Sequence, residues 1–91
     1  MRTFRLHLGN GFEHTFTCGQ NDKLTFLVNG SPADCSVFDM TDASAPKLLS
    51  QQKSISPGNL SRPVSLKANT RYKAQINPHG DPKLSHATIS W

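Results

Sequence analysis

A chain of 91 residues makes one domain, 1–91, with a thin core, because small domains bury a smaller share of their surface than large ones. Apolar residues are 35% of the chain and aromatic residues 8%, too many for a disordered polymer, and no apolar run approaches the ~20 residues of a membrane-spanning helix. The net charge of +4 is unevenly spread. Residues 1–42 set Arg2, Arg5 and Lys23 against Glu13, Asp22, Asp34, Asp39 and Asp42, a balance of −2, whereas residues 43–91 set seven Lys or Arg against Asp81 alone, a balance of +6. Such asymmetry marks either an anionic partner or an unevenly charged, solvated surface. Arg5 and His7 interrupt the apolar stretch that a signal peptide would need, which predicts a cytoplasmic start unless a leader has been removed.

Taken in order, the chain alternates apolar and polar residues in short runs. Phe4, Leu6 and Leu8 share one side of the first run, and Arg5 and His7 the other. Gly9-Asn10-Gly11 is a turn signal, and Phe12, His14, Phe16 and Cys18 alternate after it. Paired as a hairpin, these runs set Leu6 opposite His14, Phe4 opposite Phe16, and His7 opposite Glu13 on the outer face. Leu24, Phe26 and Val28 form a third run after Gly19-Gln20-Asn21-Asp22. The fourth run, from Ala33 to Met40, switches sides at Val37-Phe38, which predicts a bulge or burial on both faces. Residues 47–55 fit neither a helical nor a strand period cleanly.

From Val64 to Ile76 two runs meet at Asn69-Thr70. Val64, Leu66 and Ala68, then Tyr72, Ala74 and Ile76, face one way, and Lys67, Arg71 and Lys73 face the other. Ala87, Ile89 and Trp91 close the chain. Turn signals every eight to twelve residues predict an all-β fold, a small antiparallel β-sandwich of jelly-roll or Ig-like type with seven to eight short strands. The predicted core is Phe4, Leu6, Phe12, Phe16, Leu24, Phe26, Val37, Leu66, Tyr72, Ile76, Ile89 and Trp91.

The stretches GQNDKLTFLVNG, ADCSVFDMTD, VSLKANTRYKAQI and ATISW follow one another in an order that resembles pre-peptidase C-terminal-like domains. The likeness covers roughly residues 12–91; the strand entry Ala68-Asn69-Thr70-Arg71-Tyr72 carries Asn where that pattern has Gly, and one residue more. The resemblance implies a jelly-roll sandwich. It also implies a module of the kind appended to secreted hydrolases, where it aids substrate binding or is trimmed off.

Candidate sites come with competing structural readings. Cys18 and Cys35 are expected to be free, buried thiols, since a run of adjacent hairpins would offset them by ~10 Å along the strands. Asp34, Asp39 and Asp42 could gather around Ca²⁺, but carboxylates in such positions more often build turns. His14 reads as a core or rim histidine, and His79 and Asp81 as parts of a turn around Gly80. Lys67, Arg71 and Lys73 are expected to share a sheet face, with Lys47, Lys53, Arg62 and Lys83 as further members. A nucleic-acid surface would add exposed stacking rings. Trp91 is the candidate glycan platform. No catalytic constellation, cofactor motif or metal motif emerges. The expectation is therefore a non-catalytic binding or structural module, touching a protein or glycan surface, acidic partners included, as a homo-oligomer or a small subunit of a larger assembly. The alternative is a small basic nucleic-acid binder of the OB-like class.

Overall fold

The alternating runs become eight strands in the computed structural model, which describes all residues from Met1 to Trp91: β1 (Thr3–Leu6), β2 (Glu13–Cys18), β3 (Asp22–Asn29), β4 (Ala33–Asp39), β5 (Lys47–Ile55), β6 (Val64–Leu66), β7 (Thr70–Pro78) and β8 (His86–Ser90). They form two four-stranded antiparallel sheets, sheet 1 in the order β1-β8-β3-β6 and sheet 2 in the order β2-β7-β4-β5. Strand β1 pairs with β8, β2 with β7, β3 with β6 and β4 with β5. This is one long hairpin rolled up on itself, the jelly-roll arrangement. Only the β4–β5 connection joins sheet neighbours; every other connection crosses between sheets. An Ig-like order, in which hairpin neighbours fill each sheet, is therefore not the one adopted, and neither is the five-stranded barrel of an OB-like fold. No helix is long and apolar enough to cross a membrane.

Two expected hairpins are corners instead. Strands β1 and β2 lie in opposite sheets. Between them Leu8–Asn10 forms a 3₁₀ turn, capped by His7, whose Nδ1 accepts the Gly9 N–H at 3.0 Å. Gly11 and Phe12 follow in the left-handed region, at φ 68° and 63°, and turn the chain over to the other sheet. Phe4 and His14 meet across the sandwich, rings 3.7 Å apart and nearly parallel, rather than side by side within one sheet. Glu13 lies opposite Gln75, not His7. In the same way β6 pairs with β3, while β7 pairs with β2 and β4. The corner between β6 and β7 turns at Asn69, at φ 57°, and the Tyr72 hydroxyl accepts the Lys67 N–H there at 2.8 Å.

The core forms where the inward faces meet. Leu6, Leu24, Phe26, Val28, Val37 and Ile89 are at most 1% exposed. Phe4, Phe12 and Trp91 pack against this core but are only partly buried. Ile55, which no period singled out, is buried at the end of β5. The rest of β5 is an exposed edge with a single neighbour, so its side chains carry little alternation. The side switch at Val37-Phe38 coincides with a register shift between β4 and β5.

Cys18 and Cys35 are buried free thiols, though not for the reason hairpins suggested. Both lie in sheet 2, on strands that flank β7. Cys18 faces Thr70 and Cys35 faces Ile76, six positions further along β7 or about 20 Å at the usual strand rise. That separation is beyond any disulfide.

Candidate binding groove on the outer face of sheet 2

Alternation sends every second residue of sheet 2 outward, and strand register decides which of them become neighbours. One outward row runs Glu13–Gln75–Ser36–Gln51 across β2, β7, β4 and β5. The next runs Thr15–Lys73–Phe38–Leu48. Asp34 and Asn77 lie beyond the first row, and Arg71 beyond the second. Four strands at the usual spacing make each row about 14 Å long. The Gly11-Phe12 corner and the Gly80–Pro82 segment stand beside the polar row, and together they enclose a cleft of about 540 Å³.

The cleft mixes apolar surface from Phe12, Phe38 and Ile76 with polar side chains that are largely uncommitted. Gln75 Nε2 donates to Glu13 Oε2 at 3.4 Å, a long bond; Ser36, only 8% exposed, lies at the bottom of the cleft, and its side chain and that of Gln51 make no hydrogen bond within the chain. Asp34 anchors one end: its Oδ1 accepts the Ser54 N–H at 2.9 Å and lies 2.8 Å from His79 Nε2. The Ser54 N–H, followed by His79, holds the Asp34 carboxyl below the usual carboxylate range. Phe38 forms part of the floor, with the Lys73 ammonium 4.9 Å from its ring centroid.

The predicted site residues separate in space. Arg71 and Lys73 share the outer face of β7, as expected. Lys67 instead sits at the β6–β7 corner, where it and Lys47 both act on Asp39. Lys83 is on the β7–β8 loop beside Arg5 of sheet 1, and the Arg62 backbone N–H is taken by the Gln52 side chain. Trp91 is away from the groove. Its backbone pairs with Arg2, at 2.7 and 2.9 Å, and its ring stacks on Phe16 at 4.2 Å. The remaining part of the indole borders two depressions near Arg2.

The acidic candidates disperse too. Asp39 accepts from Thr41 and Asp42 from Ser44, both as turn formers, and these bonds hold both carboxyls below the usual range. No three metal-ligating side chains converge anywhere in the chain. His14 lies between Phe4 and Phe16, and burial lowers its pKa. The His79–Asp34 contact was not legible in the sequence, since 45 residues separate the partners. Nor was the groove row, whose members sit on four strands. Their only sequence signal is their position between inward-facing neighbours.

No protein-family model matches this chain, and no curated protein or solved structure matches it either.

Proposed function

We propose that the protein is a non-catalytic binding module that takes a glycan chain along the outer face of sheet 2. The observation that carries this reading is the four-strand row Glu13–Gln75–Ser36–Gln51, lying beside the Phe38 ring. Sugar hydroxyls both donate and accept, so they are matched by side chains that do the same, such as Gln and Ser, with a carboxylate at the end of the row. An aromatic floor adds contact to the apolar C–H face of a pyranose. Strand-borne groups keep their spacing, which lowers the ordering cost of binding. A protein contact would favour an apolar centre. The exposed leucines do not gather at the centre of this face: Leu8 and Leu84 belong to the cleft of the other sheet, and Leu48 and Leu49 lie on the edge strand β5. A nucleic-acid surface finds less support, because Lys67 has left the face that Arg71 and Lys73 share.

The absence of catalysis belongs to the same proposal. His79 bonds to Asp34 and to no hydroxyl, and His14 is enclosed by rings. Kinship with pre-peptidase C-terminal-like domains is proposed on the motifs named above together with the jelly-roll strand order.

Affinity electrophoresis through gels containing neutral polysaccharides tests the reading. We expect retardation by at least one polymer, unchanged between 50 and 300 mM salt and lost in Gln75→Ala and Phe38→Ala. Retardation only by an anionic polysaccharide run in parallel, and lost at the higher salt, would point to an anionic partner of Arg71 and Lys73 instead. Migration unaffected by every polymer would end the glycan reading.

A further inference from the structure

A second cleft lies on the other sheet and has a different chemistry. Leu6 opposite Ala87 is the last paired position of β1 and β8, and one residue further His7 comes across from His86. Arg5 precedes His7 on the same outward face. The β7–β8 loop adds Lys83 and Leu84, and the β1–β2 corner adds Leu8. These residues, with Ser85, line an open cleft of about 610 Å³. Four basic side chains thus converge with no carboxylate among the lining. Asp81, the acid of this loop, turns its Oδ1 to the Lys83 backbone N–H at 2.9 Å.

The cluster is electrostatically unrelieved. The pKa of His86 is lowered, first by burial and then by the charge of Arg5, with His7 acting in the same direction and the Leu84 backbone against it. His7 is held in place by its cap: Nδ1 accepts the Gly9 N–H, so the proton of the neutral ring resides on Nε2, which remains a donor. A guanidinium fork, an ammonium and two imidazoles offer many donors and, apart from imidazole nitrogens, no acceptors. Like charges gathered without a partner oppose folding, so a bound anion would remove a repulsion as well as add hydrogen bonds. Leu8 and Leu84 flank the cluster, 51% and 69% exposed, and offer apolar contact to whatever carries the anion.

We propose that this cleft, bounded by Arg5, His7, Lys83 and His86, binds a tetrahedral oxyanion, the phosphate or sulfate ester group of a partly apolar ligand. It is independent of the glycan groove: it belongs to sheet 1 and is reached from the other side of the two corner loops. The several converging donors suit the distributed oxygens of a tetrahedral ester better than a single planar carboxylate.

Titration of the ¹⁵N-labelled protein with inorganic phosphate, phenyl phosphate and phenyl sulfate, at ionic strength balanced with chloride, tests the site. Saturable shifts are expected at the amides of residues 5–8 and 83–86, with the phenyl esters binding more tightly than inorganic phosphate. Whichever ester binds more tightly identifies the group. Arg5→Gln and Lys83→Gln should each weaken binding about tenfold or more, while Lys23→Gln should leave it unchanged. Arg5 and Lys83 are exposed, and thermal melts of both variants verify that they fold. Binding of phenyl sulfate, whose charge is fixed across the range, should tighten as the pH falls from 8 to 5.5, because His86, facing Arg5, His7, Lys83 and the nearby Asp81, charges more readily beside an anion. Linear shifts spread equally over Lys23, Lys47 and Lys53 would overturn the proposal, as would unchanged affinity in both Gln variants.

Discussion

Replacing Tyr72 by Phe isolates one hydrogen bond that fastens the corner between the two sheets. Tyr72 is 2% exposed, and its ring packs beside Phe16 with centroids 6.1 Å apart. The substitution retains that ring and most of its buried area. It removes the acceptor of the Lys67 N–H, a part-buried donor at the point where the chain leaves sheet 1 for sheet 2. An unmet buried donor costs about 1–3 kcal/mol, and the slightly greater hydrophobicity of Phe offsets a fraction of this, so we expect a loss of about 1–2 kcal/mol. For a domain of this size that corresponds to a fall in Tm of roughly 5–10 °C. Equilibrium urea unfolding should show a lower midpoint at an unchanged m-value, since the surface exposed on unfolding is nearly the same. A loss below about 0.3 kcal/mol would refute the reasoning and show that water satisfies the Lys67 N–H as well as the phenol does.

Burial depresses the His14 pKa below 6.5, so the unfolded chain binds more protons as the pH falls through 6.5 towards the folded value. Stability should decline across that window, and His14→Phe should flatten the slope without abolishing it, because His86 is lowered too and acts with the same sign. Asp34 has the reverse behaviour: its contribution is present above the unfolded value of about 3.8 and is lost as the pH falls through the lower folded value, so Asp34→Asn should destabilise at pH 7 and converge with the parent in acid melts. The Cys35 thiol is pushed up to about 12, chiefly by burial, and Cys18 is 1% exposed. Both should react with a disulfide reagent at least ~100-fold more slowly in the native protein than in guanidinium chloride; equal rates would contradict their burial. Gly30 has φ 87°, and a Cβ there would overlap the Leu84 carbonyl, so Gly30→Ala should cost more than about 1 kcal/mol by thermal melting.

The two corners mistaken for hairpins show why topology was less legible than strands. A hairpin and an inter-sheet corner both require the apolar faces of successive strands to turn the same way. The agreement of Phe4, Leu6, His14 and Phe16 therefore satisfied either one. Only the left-handed pair Gly11-Phe12 and the His7 cap decide between them, and a turn signal such as Gly-Asn-Gly serves both uses. Strand β5 was obscure for another reason. As an edge with most of its side chains in water, it lacks the alternation that half-burial imposes. The basic face of Lys67, Arg71 and Lys73 divided because Lys67 falls on a corner, where strand parity no longer applies.

Local chemistry by itself determined a great deal here. Alternation marked most of the strands and their inward faces, turn residues marked the boundaries and, by their spacing, the all-β class, and length pointed to one small domain. Tertiary structure alone decided which strands became neighbours. Through those neighbours it decided that Gln75, Ser36 and Gln51 form one row, that His79 reaches Asp34, and that Arg5 and His7 meet Lys83 and His86 from the opposite end of the chain. The physical reason is the range of the interactions. Which face of a strand turns inward is settled by residues two apart, whereas register is settled by pairings across tens of residues, and both candidate sites are built from register.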